Sequence, residues 1–274
     1  MIAVANQKGG VGKTTTAVNL ATALSADRRV LLIDLDPQGN ASTGLGIPRA
    51  ERGVGTYAML VEGAWLGDVA RQTRVPNLSL VPADPDLAGA EVELVGQLNR
   101  ERRLSHCFQG SPDVLLEYDY VFLDCPPSLG LLTVNALVAA GSVLVPLQCE
   151  FYALEGVSQI ARTIEHVRHA LNPTLRLEGI VLTMFDKRNN LSEAVAEDVR
   201  GFFGDEVFET VIPRNIRVSE APSHGLPVTL YDFRSPGAQA YVKLAAELRR
   251  RERRGAGPGA AAERGAGAAR SPAA

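Results

Sequence analysis

The 274-residue sequence predicts one doubly wound α/β domain, with a mainly parallel sheet and helices on both faces. Two observations predict this fold class. Short runs of consecutive apolar residues are separated by longer segments with helical periodicity, and such unbroken runs are typical of strands that are covered on both faces. A glycine-rich segment also lies between the first apolar run and the first helical segment, which is where α/β sheets place a ligand-binding loop.

The predicted elements follow one another in a regular order. The first strand covers residues 2–6, and a helix rich in Ala and Leu covers residues 14–25. Further strands are predicted at residues 30–34, 78–82, 120–124, 142–146 and 177–183. Right-handed crossovers between such strands place helices on both sides of the sheet. No linker or internal repeat interrupts this order, so residues 1–248 are expected to form a single domain.

The composition changes after Leu248. Residues 249–274 contain seven arginines and two glutamates among small residues, which gives this segment a net charge of +5. Such a composition cannot build a core, so we predict a disordered C-terminal tail into which the last helix frays. The tail is either a solubilising extension, which we favour, or an electrostatic tether for DNA or an anionic lipid surface.

The remaining bulk properties exclude several classes of protein. Since the whole chain carries a net charge of −3, residues 1–248 carry −8, which confines any nucleic-acid binding to a local patch or to the tail. No apolar stretch approaches the roughly 18 residues of a transmembrane helix, and the N-terminus has no signal-peptide pattern. Three widely spaced cysteines are typical of a reducing compartment. We therefore expect a cytoplasmic protein.

The glycine-rich segment reads QKGGVGKT and covers residues 7–14. It departs from the usual phosphate-loop pattern because Gln7 occupies the position of the first glycine. Its glycines nevertheless let successive N–H groups curve around an anion, and the helix that follows adds the positive end of its dipole. Lys13 is expected to neutralise the β- and γ-phosphates, and the Thr14 hydroxyl to bind Mg²⁺.

Carboxylates follow two of the predicted strands. Asp34 and Asp36 lie at the end of the strand in LLIDLDPQGN, and Asp124 ends the apolar run YVFLD. Asp34 and Asp36 are candidates for orienting the water that attacks the γ-phosphorus, or for holding the metal through water. They could instead cap an ordinary strand-to-helix turn. Asp124 fits the carboxylate that stands beside Mg²⁺ in phosphate-loop proteins.

These segments resemble the ParA/Soj partition ATPases, within the deviant Walker A group that also contains MinD and the nitrogenase iron protein. The hallmark of the group is KGGxGK[ST], which residues 8–14 match. The segments DLDPQGN, LDCPPSLG, CEFYALEG and residues 211–241 are similar to the chromosomal branch of the family, and the resemblance covers about residues 1–248.

The resemblance implies ATP and Mg²⁺ as cofactors and assigns a role to each matching residue. Lys8 would reach the phosphates bound by a second subunit, Asp36 would position the attacking water, and Thr14 and Asp124 would bind the metal. Glu150 would meet the nucleotide across a dimer, and Pro213 and Asn215 would hold the adenine. The implied nucleotide-binding residues are Lys8, Gly9, Gly10, Val11, Gly12, Lys13, Thr14, Thr15, Glu150, Pro213 and Asn215.

The resemblance also implies partners. The ATP-bound homodimer would bind double-stranded DNA non-specifically, and a ParB/Spo0J-type centromere-binding protein would stimulate slow hydrolysis and release it, which implies nucleoid association. The matching DNA-binding candidates are Arg188 and Arg217, with Lys187 and Arg214 nearby. These residues could instead be ordinary solvated cations.

Two other functions belong to the same group. A MinD-like ATPase that acts at the membrane surface would need an amphipathic C-terminal helix, whereas the segment after Leu248 has arginines and no apolar stripe. Stable membrane association is therefore not expected. A relative of the nitrogenase iron protein would need cysteines paired around an Fe–S cluster, and that pattern is missing from the sequence.

Overall fold

The computed structural model describes residues 1–150 and 153–255. Among these residues, seven strands form one sheet in the order β3-β4-β2-β5-β1-β6-β7. The strands are β1 (Ile2–Val4), β2 (Val30–Asp34), β3 (Arg71–Gln72), β4 (Leu78–Val81), β5 (Tyr120–Asp124), β6 (Ser142–Gln148) and β7 (Arg176–Thr183).

Helices connect the strands. They are α1 (Lys13–Leu24), α2 (Asn40–Gly44), α3 (Leu66–Val69), α4 (Leu87–Leu94), α5 (Arg103–Gln109), α6 (Pro112–Leu115), α7 (Leu131–Ala139), α8 (Ala153–Ala170), α9 (Asn190–Phe203), α10 (Ile216–Glu220), α11 (Val228–Tyr231) and α12 (Pro236–Gly255). Short turns of 3₁₀ or π helix cover Arg49–Glu51, Ala58–Glu62, Arg100–Arg102, Gly204–Glu206 and Ala221–His224.

The sheet is parallel except at one edge, where β3 pairs antiparallel with β4. β5 lies between β1 and β2, and its last residue, Asp124, is in register with Val4 of β1 and Asp34 of β2. The glycine-rich loop and the two carboxylate segments therefore leave the sheet side by side at its carboxyl edge. Parallel α/β sheets bind ligands at this edge.

The strands bury side chains on both faces. Leu31 and Ile33 of β2 belong to an apolar cluster with α7, α8 and α9, whereas Val30 and Leu32 belong to a second cluster with α1 and α12. Residues of the central strands are thus covered by helices whichever way they point, which explains the unbroken apolar runs in the sequence. The predicted doubly wound α/β fold is confirmed.

The last helix extends further than the composition indicates. α12 runs to Gly255, so the predicted domain boundary at residue 248 falls inside it. Arg251 donates to the carbonyls of Asp205 and Val207, at 2.9 and 2.6 Å, and Arg249 pairs with Asp27 at 3.0 Å. These contacts keep the start of the arginine-rich segment helical and packed. The predicted disorder of residues 256–274 lies outside the described residues.

Candidate functional site

The glycine-rich loop joins β1 to α1 and is anchored by two other strands. The Asn6 amide donates to the carbonyl of Pro146 at 2.8 Å, and the Thr183 hydroxyl donates to the carbonyl of Val11, also at 2.8 Å. Gly10 and Gly12 have φ angles of 77° and 88°, in the left-handed region that favours glycine. The loop conformation is therefore fixed by contacts with β6 and β7.

The start of α1 presents unpaired backbone donors to the loop. Among the described residues no side chain caps this end of the helix, and its first turn holds no acidic residue. The first N–H groups of a helix have no partner within it and carry the positive end of its dipole. An anion is therefore the natural ligand for the space that the loop encloses.

Lys13 lies inside this loop. The residue is 6% exposed, and its ammonium donates to the carbonyl of Lys8 at 2.9 Å. Burial lowers the pKa of Lys13, whereas the nearby Asp124 carboxylate acts in the opposite direction. The structure thus brings together the lysine and the carboxylate that the sequence predicts at the phosphates and the metal.

The two aspartates after β2 have different surroundings. Asp34 is fully buried, and its carboxylate accepts hydrogen bonds from the Ser42 amide and hydroxyl at 2.8 and 2.7 Å. The carboxylate of Asp36 accepts from the Gln38 amide at 3.0 Å, and Asp36 is 6% exposed. Asp34 therefore secures the start of α2, while Asp36 has more capacity for a ligand.

Asp124 is the least satisfied polar side chain of the site. It is fully buried, and neither carboxylate oxygen has a hydrogen-bond partner among the described residues. Burial raises the pKa of Asp124 well above its usual range, and the neighbouring Asp34 carboxylate adds to this rise. The nearby Thr14 hydroxyl lowers the pKa, although its geometry falls short of a hydrogen bond. A buried carboxylate without a donor is costly unless a cation or a donor from outside the chain completes it.

Lys8 and Glu150 meet although they are far apart in the sequence. The Lys8 ammonium forms an ion pair with the Glu150 carboxylate of the same chain. Both side chains are partly exposed, at 46% and 33%. The structure thus joins two residues that the family resemblance placed at the contact with a second subunit, and within one chain their charges cancel.

The predicted adenine-binding residues lie beside β7. Pro213 bridges to Phe185, just beyond the end of that strand. The side-chain oxygen of Asn215 is buried and has no partner among the described residues. It is an acceptor available to an amino group of a bound base.

A cavity of about 270 Å³ lies beside the first turn of α1. Thr14 and Thr15 line it together with α2 and residues 221–227, and neither Pro213 nor Asn215 is among its described walls. Asn19 holds this segment in place, because its side chain accepts from the Val228 amide at 2.7 Å and donates to the Thr15 carbonyl at 2.8 Å. Asn19 was missed from the sequence because a single Asn inside a helix gives no motif.

Three of the predicted DNA-binding cations, Lys187, Arg188 and Arg214, lie on neighbouring loops, and Arg217 lies in α10. The Arg214 amide donates to the carbonyl of Phe185 at 3.0 Å, which brings Arg214 beside the loop that carries Lys187 and Arg188. The two main candidates are paired with carboxylates. Arg188 binds Asp186 through two hydrogen bonds, at 3.1 and 3.0 Å.

Arg217 is also paired. Its guanidinium contacts Glu220 at 2.9 Å and Asp232 at 3.5 Å. Both arginine side chains remain accessible, at 90% exposed for Arg188 and 52% for Arg217. Any phosphate bound here would compete with carboxylates for the guanidinium groups.

The sequence matches known proteins along most of its length. A family model described as an AAA domain matches residues 1–177. The chromosome partitioning protein ParA of Caulobacter vibrioides is 57% identical over 258 residues, which cover 92% of this chain and 95% of that protein. The sporulation initiation inhibitor protein Soj of Bacillus subtilis is 53% identical over 249 residues, covering 90% of this chain and 97% of its own. The chain belongs to the ParA/Soj family.

A solved structure adds information about ligands in proteins with this fold. The cobyrinic acid a,c-diamide synthase of Mycobacterium smegmatis, with bound ATP analog and magnesium, superposes with a TM-score of 0.79 at 39% identity, over 93% of this chain and 96% of that one. That protein is named for a different activity, and its identity to this chain is lower than that of the ParA/Soj relatives. The resemblance on which the sequence analysis relied is confirmed.

Proposed function

We propose that this ParA/Soj chain is an ATPase that acts as a dimerising switch in DNA partitioning. The observation that carries the proposal is the convergence, at one edge of the sheet, of uncapped helix donors, a buried ammonium and a buried carboxylate without a partner among the described residues. Opposite charges and free donors around one space match a magnesium-bound triphosphate better than they match an uncharged ligand. The relatives named as partitioning proteins support the assignment to this process.

The proposed phosphate site consists of the residues of the loop. Its N–H groups and Lys13 would hold the phosphates, and Thr15 would extend these contacts into α1. A Mg²⁺ ion fits here because Asp124 lacks a partner among the described residues and Thr14 supplies a hydroxyl, and such ions take oxygen ligands and keep several waters. When bound, the ion neutralises charge on the phosphate oxygens.

No group of three or more His, Cys, Asp and Glu side chains forms a metal cage within residues 1–150 and 153–255. Mg²⁺ in nucleotide sites is held by one or two carboxylates together with substrate phosphates. The single carboxylate of Asp124 therefore fits this ion.

Asp36 is the proposed positioning group for the attacking water. Asp36 follows β2, the strand that pairs with β5 and so lies beside Asp124. Its carboxylate keeps unused acceptor capacity, since only the Gln38 amide donates to it among the described residues. Asp34, by contrast, uses its carboxylate to hold Ser42. We therefore assign the catalytic role to Asp36 and a structural role to Asp34.

Dimerisation would redirect Lys8. In the proposed dimer its ammonium leaves Glu150 for the phosphates in the second subunit, and Glu150 becomes free to contact the nucleotide from across the interface. A partly exposed ion pair contributes only about 0–1 kcal/mol, so breaking it costs little compared with a contact to a triphosphate. The charge of Lys8 would thus make the dimer depend on the γ-phosphate.

DNA binding would follow from dimerisation. Each chain contributes Arg188 and Arg217, with Lys187 and Arg214 nearby, and two copies double the number of phosphate contacts. The acidic body and the paired carboxylates keep the affinity of one chain low. Non-specific binding to duplex DNA, stimulation of hydrolysis by a ParB/Spo0J-type partner and a location on the nucleoid in the cytoplasm complete the proposal.

The second candidate is a MinD-like role at the membrane surface. Within the described part of the chain, none of the helices combines the length and the apolar character needed to cross a bilayer. The end of α12 carries arginines that bind other parts of the chain, namely Asp27 and the carbonyls of Asp205 and Val207. Because these arginines are engaged within the chain, DNA is favoured over a membrane surface as the anionic partner.

Two assays run in parallel separate the candidates. The protein with ATP and Mg²⁺ is tested for a shift of duplex DNA and for co-sedimentation with liposomes that contain anionic lipid. The proposal expects an ATP-dependent DNA shift that weakens as salt rises, with no ATP-dependent liposome binding. Liposome binding without a DNA shift would support the membrane role and refute the proposal.

A further inference from the structure

Arg52 is an arginine buried in the protein. It is 3% exposed, and its guanidinium faces backbone carbonyls and a hydroxyl. One terminal nitrogen donates to the Gly39 carbonyl and the Thr43 hydroxyl, both at 2.8 Å. The other contacts the carbonyls of Gln38 and Ala83, at 3.5 and 3.4 Å.

No carboxylate forms an ion pair with Arg52 among the described residues, and its Nε atom is buried without a partner there. Burying a charge without a counter-ion is costly, and arginine stays protonated in proteins. If Arg52 only filled space in the core, an apolar side chain of similar volume would do so at a lower free-energy cost. The carbonyls that Arg52 binds therefore account for an arginine at this position.

Two of those carbonyls, of Gln38 and Gly39, belong to the turn that follows Asp36. The Gly39 amide donates to the Asp36 carbonyl at 2.8 Å, and the Gln38 amide donates to the Asp36 carboxylate at 3.0 Å. Arg52 binds the same two residues, Gln38 and Gly39, from their carbonyl side. The position of the Asp36 carboxylate is thus tied to Arg52 through one tight turn.

Gly39 shows how closely the guanidinium packs on this turn. A Cβ atom built on Gly39 would collide with a terminal nitrogen of Arg52, and the φ angle of Gly39 is 64°. Any side chain at this position would displace the guanidinium. Gly39 therefore provides a second way to test the contact without removing Arg52.

Arg52 also links the turn to the strand next to β2. Ala83 follows β4, and its amide donates to the Ser42 hydroxyl at 3.1 Å, while Ser42 in turn donates to Asp34. The turn after Asp36 is therefore held at both ends, by Asp34 through Ser42 and by Arg52 through Gly39.

We propose that Arg52 is a positioning residue for ATP hydrolysis, which fixes the turn that carries Asp36 and so orients its carboxylate towards the attacking water. The inference rests on the proposed role of Asp36. Within the described structure the hydrogen bonds of Arg52 go to Gln38, Gly39, Thr43 and Ala83, and none goes to the glycine-rich loop or to the predicted adenine-binding residues, so nucleotide binding should not depend on it.

The test compares Arg52→Gln, Arg52→Lys and Gly39→Ala with the wild type at saturating ATP. Arg52→Gln should lower kcat by about tenfold or more, because small displacements of a catalytic group have large effects on rate. The affinity for ATP should stay within about threefold, because binding and turnover are separable in such variants. Arg52→Lys should give an intermediate kcat, since lysine donates hydrogen bonds but lacks the planar fork. Gly39→Ala should lower kcat in the same direction as Arg52→Gln.

Arg49→Gln is the matched control, since Arg49 is exposed and begins the short helical turn that precedes Arg52. Its kcat should equal that of the wild type. A normal kcat in Arg52→Gln, or a loss that follows only a lower melting temperature or weaker ATP binding, would overturn the inference. Asp36→Ala distinguishes this from a failure of the proposed function: if Asp36→Ala abolishes turnover while Arg52→Gln does not, only the inference about Arg52 fails.

Discussion

Replacing Asp124 by asparagine should stabilise the protein in the absence of metal and nucleotide. The carboxylate is fully buried, has no hydrogen-bond partner among the described residues and lies beside Asp34. The effective penalty for such a charge is several kcal/mol. Asparagine keeps the shape and removes the charge, but its amide is also left without partners, which costs about 1–3 kcal/mol.

The difference between these two penalties leaves a net gain of about 1–3 kcal/mol for Asp124→Asn at neutral pH. A domain of this size shifts its melting temperature by about 2–4 °C per kcal/mol, so the expected increase is about 2–12 °C. A carboxyl group whose pKa is raised by folding destabilises the folded protein at pH values above the pKa that the group has in the unfolded chain. The gain should therefore shrink as the pH falls, and its pH-dependent part should be lost below about 4, where the carboxyl becomes protonated in the unfolded state as well.

The assay is thermal unfolding in EDTA without nucleotide, repeated between neutral and acidic pH. Asp198→Asn serves as the control, because Asp198 is exposed on α9 and should show no change. With Mg²⁺ and ATP added, the wild type should gain more stability than Asp124→Asn. A variant that melts below the wild type at neutral pH in EDTA would refute the reasoning, since it would mean that the carboxylate is paired in the folded chain.

Three further substitutions test the proposed switch. Asp36→Ala should leave ATP binding and dimerisation intact and reduce phosphate release by at least about a hundredfold, the usual range for a positioned proton acceptor, so persistent turnover would contradict its assignment. Lys8→Ala should bind ATP but stay monomeric in sedimentation, and an ATP-dependent dimer of this variant would remove Lys8 from the interface. Arg217→Glu should dimerise with ATP but no longer shift DNA in a gel. Arg28→Glu should still shift DNA, because Arg28 lies just before β2, at the amino ends of the strands. Equal DNA affinity in both variants would exclude the Arg217 patch.

The sequence predicted the central strands accurately because each is a continuous apolar run. The bounds of β2 and β5 agree with the prediction at both ends, since each apolar run starts after a charged residue, Arg29 or Asp119, and ends on an aspartate. β3 was not predicted. It has only two residues, Arg71 and Gln72, and is held at the edge by pairing with β4 rather than by burial of its own side chains.

Long-range contacts account for most of what the sequence did not predict at the site. The motifs located the phosphate loop and the carboxylates because each is a local pattern next to a strand. The pair of Lys8 and Glu150 spans 142 residues, and the Arg52 contacts reach Ala83 over 31 residues, so no local pattern marks them. The tail after Leu248 was predicted to be disordered from its composition alone, which cannot show that Arg251 finds carbonyl partners on another segment.

Sedimentation velocity tests the central claim most directly, with ADP and then with ATP, each with and without a short DNA duplex. We expect a monomer with ADP, a dimer with ATP and Mg²⁺, and co-sedimentation of DNA with the ATP dimer alone. A monomer under all conditions, or DNA binding that is equal with ADP and ATP, would contradict the proposal that ATP switches this protein between a free chain and a DNA-bound dimer.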